Sequence, residues 1–263
     1  MKQTGRTTRW LLAGVLLAAL IVTCYTNPAG RQALMLVTPS QEAQLGLSAF
    51  EEIKQTTPRT VDTAQQALVE KVGRKISSVV SLSNASWEYV CFKADDTPNA
   101  FCLPSGKIGI YTGILPITQN EAGLATVMAH EVAHATARHG GERISEQLVM
   151  ELGGVALDVA LQKQPETTRQ IALTAYGLGS TLGRTLPHSR AQELEADKLG
   201  LMYMAKAGYD PHEAIAFWQR FKAWNDARGG SSTPEFLSTH PVDSRRIAQL
   251  EELLPEAMKY YHK

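Results

Sequence analysis

Three cysteines in 263 residues leave no four-cysteine structural zinc site. Charge of one sign is also missing: 26 basic against 26 acidic side chains give a formal net charge of zero. Nothing in that balance points to nucleic acid, and no acidic tail points to a basic partner. There is no internal repeat and no low-complexity tract, which excludes a repeat array. The longest apolar run, residues 10–22, falls short of the roughly 20 residues that a spanning helix needs. What remains is an ordinary globular balance. Apolar residues make up 44% and charged residues 20%, enough for a sizeable core and too apolar for wholesale disorder.

The N-terminus reads as a targeting segment. Lys2, Arg6 and Arg9 precede the run at 10–22, which has the length of a signal-peptide core. Leu20-Ile21-Val22-Thr23 followed by Cys24 resembles a bacterial lipobox, with Thr23 where a smaller residue is usual. Lipidation of Cys24, an uncleaved N-terminal anchor and an ordinary cleaved signal all place the remainder outside the cytoplasm. The expected organisation is a targeting or anchoring segment at 1–24, a tether at 25–40 and one domain at 41–263. With Cys24 lipid-linked or removed, Cys91 and Cys102 remain, either as a short-loop disulfide in an oxidising compartment or as two buried free thiols.

Helical patterns cover 41–55 and 60–78. The one β signal follows: 87–92, 100–103 and 107–111 are rich in aromatic and β-branched residues and broken by Pro104-Ser105-Gly106. These predict a small antiparallel sheet of about three strands. A helix then starts at a Thr118/Glu121 capping box and stops at Gly140-Gly141. Two glycine-rich helical stretches, 143–162 and 168–186, form either a lid over the site or two core helices. Helices at 189–207, 211–227 and 242–258 complete an α+β, mostly helical fold.

His130-Glu131-Val132-Ala133-His134 organises the rest. Histidines four apart share one face of a helix, where two imidazoles can meet one zinc ion at about 2.0–2.1 Å. Glu131 beside them can take a proton from a zinc-bound water attacking a carbonyl, the chemistry of peptide hydrolysis. A catalytic zinc takes three protein ligands and keeps one position open, so a third must come from another element. Glu193 offers it. Asp197 follows one turn on, placed to accept from the far nitrogen of a ligand histidine. Glu195 points elsewhere, and His139 is off the ligand face.

His130-Glu131-xx-His134 with Glu193-xxx-Asp197 inside Ser-Arg-x-x-Glu-x-Glu-Ala-Asp resembles the CAAX prenyl protease and Oma-type zinc metallopeptidases, in particular their bacterial periplasmic LoiP/BepA-like branch. Asn99-Ala100-Phe101, Ala137-Arg138-His139-Gly140 and Ser238-Thr239-His240-Pro241 with Arg246-Ile247 agree. The resemblance implies a zincin-type metalloprotease domain, with a small antiparallel sheet beside the HExxH helix. It implies one Zn2+ per chain on His130, His134 and Glu193, Glu131 as general base, and Asp197 beside a ligand histidine. His240 would lie near the metal, stabilising the oxyanion or closing the open position. Asn99, Ala100 and Phe101 form a candidate edge strand for pairing with an extended substrate. The implied function is an endopeptidase that degrades misfolded or unassembled envelope proteins on the periplasmic side of a bacterial membrane, attached through the N-terminus. The alternative is a membrane-associated, chaperone-like binding factor with latent proteolysis.

Overall fold

The computed structural model describes residues 24–180, 186–228, 235–241 and 244–262. The targeting reading of residues 1–23 and the loop expected at 229–234 lie outside them. Among the described residues no helix is long and apolar enough to cross a membrane.

A helix buried all round sits at the centre. This is α4, Glu121–Thr136, buried from Gly123 onward. Small and aliphatic residues on every face suit it to a core position. Its cap differs from the expectation. Asn120, not Thr118, caps it, accepting from the Gly123 amide at 2.8 Å. Thr118 closes a separate short helix, α3, Leu115–Thr118. Nor does Gly140-Gly141 end α4. The chain turns at Arg138, a non-glycine residue at φ 61°, and both glycines lie in the first turn of the next helix. Tertiary bonds hold that left-handed residue: the Arg138 guanidinium donates to Glu42 at 2.7 Å and to the Val37 carbonyl at 2.8 Å. Gly141 lacks a side chain for a different reason, because the Glu42 carboxylate and Met35 press against it.

The remaining α-helices precede and follow α4 in the chain. They are α1 (Pro39–Thr56), α2 (Thr63–Ser77), α5 (His139–Ala160), α6 (Glu166–Ser180), α7 (Leu186–Lys206), α8 (His212–Ala227), the short α9 (Glu235–Thr239) and α10 (Ser244–Met258). The most extensive packing is between α4 and α7. Gly200 of α7 makes it possible, since a Cβ there would lie 3.2 Å from the His130 backbone. Phe217, Trp218, Phe221 and Phe236 are fully buried beneath the same region, each worth roughly 1.5–3 kcal/mol of burial. Beyond Glu146 the α5–α6 hairpin is not core. Leu152, Val155, Val159, Ile171 and Leu178 are all exposed on it.

The sheet corrects one prediction. Strands β3 (Glu88–Phe92), β4 (Ala100–Leu103) and β5 (Lys107–Tyr111) are present, but their order is β3-β5-β4. β5 runs parallel to β3 and antiparallel to β4, so the sheet is mixed rather than antiparallel. β5 takes the centre, buried from Lys107 to Ile110, and Gly109 leaves room for the Phe101 ring across it. Gly106, at φ 78°, closes the β4–β5 turn. The disulfide expectation falls with the strand order. Cys91 on β3 and Cys102 on β4 are free, and β5 lies between their strands. Strands stand about 4.8 Å apart, so two spacings exceed the roughly 7 Å limit for bridged Cα atoms. Burial pushes the Cys91 thiol up to about 11.

Residues 25–40 are more than a tether. Strands β1 (Cys24–Thr26) and β2 (Gln32–Leu34) form an antiparallel hairpin. Its outgoing chain is fixed to α5, where the Leu36 amide donates to Ser145 Oγ at 2.8 Å.

Candidate metal centre

Three elements converge on one point. α4 brings His130 and His134, α7 brings Glu193, and the residue after α9 is His240. One ligand atom from each lies within 4.8 Å of all the others. The His130 and His134 Nε2 atoms are 3.1 Å apart, and His240 Nδ1 is 3.2 Å from His130 Nε2. Glu193 reaches His130 Nε2 at 3.3 Å, His134 Nε2 at 3.2 Å and His240 Nδ1 at 3.0 Å. A tetrahedral zinc with bonds of 2.0–2.2 Å places its ligand atoms about 3.3–3.6 Å from one another. The donor set has that size, and its three nitrogens and one carboxylate are zinc chemistry. The residues fit the ion.

His240 Nδ1 would take the fourth corner of such a site, while its Nε2 lies 3.4 Å from Glu131 Oε1. That oxygen is buried and has no hydrogen-bond partner among the described residues, as expected of a carboxylate facing a site for water or substrate. Burial raises the Glu131 carboxyl above its ordinary value, which makes it a better proton acceptor near neutral pH.

The surroundings orient the imidazoles. Asp197 Oδ1 lies 3.0 Å from His130 Nδ1. Asp197 also accepts two bonds of 2.7 Å from Arg246, whose guanidinium lies 3.9 Å over the Trp218 ring. Burial alone would depress the His130 imidazole, but Asp197 and Glu193 more than offset it, raising it to about 9. For His134 burial wins, and its pKa falls well below the usual histidine range. Burial opposes ionisation of Glu193, but the three histidines around it hold its pKa far below the usual carboxylate range.

Of the sequence candidates, His130, His134, Glu193, His240, Glu131 and Asp197 come together here. Asn99, Ala100 and Phe101 lie at and just before β4, an edge strand packed beside α4. The Phe101 ring turns away to pack on Phe50, Phe92 and Tyr111, leaving only its backbone for pairing. Cys24 opens β1 and is not among the converging side chains. Sequence reasoning gave no role to Arg246, His139, Glu195 or Arg31. Arg246, His139 and Glu195 do fall within motifs quoted above, the only signal that pointed to them.

A histidine pair from one helix, a carboxylate from a second and an adjacent buried glutamate define a metallopeptidase of the HExxH class. The chain belongs to peptidase family M48, whose family model matches residues 63–254. It is similar to the mitochondrial metalloendopeptidase OMA1 of Schizosaccharomyces pombe, 39% identical over 193 residues, 72% of this chain and 53% of that protein. The Saccharomyces cerevisiae OMA1 is 34% identical over 246 residues, 88% and 69% of the two chains. The beta-barrel assembly-enhancing protease of Escherichia coli is 27% identical over 226 residues, 83% of this chain and 45% of that protein. The chain thus spans about half the length of the S. pombe and E. coli proteins.

Proposed function

We propose that the chain is a zinc-dependent endopeptidase that degrades misfolded or unassembled cell-envelope proteins. The observation that carries the reading is Glu131, a buried carboxylate with one unbonded oxygen beside three imidazoles and Glu193. His130, His134 and Glu193 would hold a zinc ion, which would supply Lewis acidity and a water of lowered pKa. Glu131 is placed to take a proton from the attacking water and to return it to the leaving amine. The outer edge of β4, at Asn99, Ala100 and Phe101, accepts an extended chain through backbone bonds. Such pairing tolerates many sequences, as unfolded substrates require.

His240 closes the fourth corner in this arrangement, so turnover needs it to withdraw. Once displaced it would be a donor for the substrate oxyanion. This closure also favours the second reading, a membrane-associated binding factor with latent proteolysis. For the setting, the name of the E. coli relative supports the LoiP/BepA-like envelope branch, and the OMA1 names point to mitochondria. The lipobox-like Leu20–Cys24 stretch favours the periplasmic side of a bacterial membrane, with attachment by lipidated Cys24 or by residues 10–22. The partners are then unfolded envelope proteins and the membrane itself.

The test is degradation of an unfolded protein by the purified chain, with Glu131→Gln beside it. Cleavage by the parent and a drop on the order of 10²–10⁴-fold in the variant is the expected result. Equal cleavage by both would remove Glu131 as the base. Cleavage by neither, with zinc bound, would favour the latent reading, and His240→Ala should then release activity.

A further inference from the structure

Among the described residues the far nitrogen of His134 meets no carboxylate, unlike that of His130. His134 Nδ1 instead lies 2.8 Å from Nδ1 of another buried histidine, His139, the first residue of α5. His139 Nε2 lies 3.0 Å from Glu195 Oε2. Glu195 accepts from Arg31 Nε, from Arg31 Nη2 at 3.2 Å and from Asn27 Nδ2 at 2.6 Å. Arg31 and Asn27 belong to the β1–β2 hairpin. Glu142 braces Arg31 through two further bonds, and Gln192 donates to Glu142 at 2.7 Å.

The direction of every bond in this chain is forced once His134 faces a metal. A ligand Nε2 carries no proton, so His134 Nδ1–H is the donor. His139 Nδ1 must then accept, which leaves the proton on its Nε2, donated to Glu195. Glu195 stays ionised between that donor and Arg31. A carboxylate acting on His139 makes its Nδ1 a stronger acceptor, which fixes the His134 ring and raises the basicity of its Nε2. Three acidic residues of α7 thus divide the work: Glu193 among the donors, Asp197 on His130, and Glu195 on His134 through an intervening imidazole. Glu195 can do so because, two residues from Glu193, it projects from a different side of α7, toward the start of α5.

We propose that His139, Glu195 and Arg31 are positioning residues for His134, and that the N-terminal hairpin is therefore part of the support of the zinc site. The proposal rests on the metallopeptidase reading above. It is tested by the zinc dissociation constant of the full chain, measured by chelator competition, and by the visible spectrum of the cobalt-substituted protein. The parent should bind one zinc. His139→Phe keeps the ring shape without the relay, and should bind zinc 10–100-fold more weakly with an altered cobalt spectrum. His139→Gln can accept from His134 and donate to Glu195 at once, and should recover most of the affinity. Arg31→Met should shift affinity in the same direction as His139→Phe. Equal affinity in His139→Phe and the parent would overturn the proposal. So would equal losses in the Phe and Gln variants, which would show a packing role. If neither His139 variant folds, Arg31→Met decides, and unchanged zinc affinity there overturns it. A parent that takes no zinc would instead overturn the metal reading beneath it.

Discussion

At the scale of single residues, the site depends on how closely two backbones approach. Gly200 lets α7 lie against His130, with the His130 and Ala129 main chain where a side chain would go. Main chain cannot swing aside as a flexible side chain can. Gly200→Val should therefore cost about 1–3 kcal/mol through overpacking and lower zinc affinity by pushing Glu193 away from His130. Thermal melts and zinc titration check both, and a variant with the parent's melt and affinity would contradict the account. Asp197 gives a second residue-level test. It holds His130 Nδ1 and neutralises the buried Arg246, so Asp197→Asn should weaken zinc binding 10–100-fold.

Elements differ in how firmly they are held. α4 is buried on all sides, whereas the α5–α6 hairpin beyond Glu146 shows Leu152, Val155, Val159, Ile171 and Leu178 to solvent. Its two helices meet through Arg169 with Asp158 and through Tyr176 with the Met150 carbonyl. These exposed and half-buried contacts are worth little. Amide hydrogen exchange should show α4 opening only with global unfolding, while residues 150–178 open locally and faster. Uniform protection of both would show that the hairpin belongs to the core.

For the whole molecule, the N-terminal hairpin is clipped on by charge, which makes its attachment dependent on pH. Burial opposes ionisation of Glu142, but Arg31 and Gln192 reverse that and lower its pKa. Burial likewise opposes Glu195, and His139 and Arg31 bring it down to about 2. Both carboxyls are depressed in the folded state. The stability they contribute is present above the ordinary value near 4.5 and is lost as pH falls from there toward 2. Arg31→Met should melt below the parent at pH 7, and the gap should narrow at pH 3. Circular dichroism melts at the two pH values measure it, and a constant gap would rule out the ionic clip.

How much was legible follows from the range of each interaction. The HExxH spacing is a local property of one helix and could be read directly, as could Glu193-xxx-Asp197 on another. The helical pattern and the three strands were also legible, since periodicity is local. Strand order was not, because β5 inserting between β3 and β4 depends on Gly109 meeting Phe101 and Phe92 across the sheet. The end of α4 was misread because Arg138 is held left-handed by Glu42, which is distant in sequence. His139 and Glu195 were set aside because their value lies in each other and in Arg31, on three separate elements.

The sequence by itself determined the chemistry: which side chains could bind a metal, which carboxylate could act as base, and that helices would carry them. Tertiary structure alone decided that His240 joins the donors, that no disulfide links Cys91 to Cys102, and that the N-terminal hairpin reaches the site. The physical reason is the same in each case. Helical spacing is set by bonds between near neighbours, whereas these three outcomes depend on how distant segments pack, which local pattern does not encode.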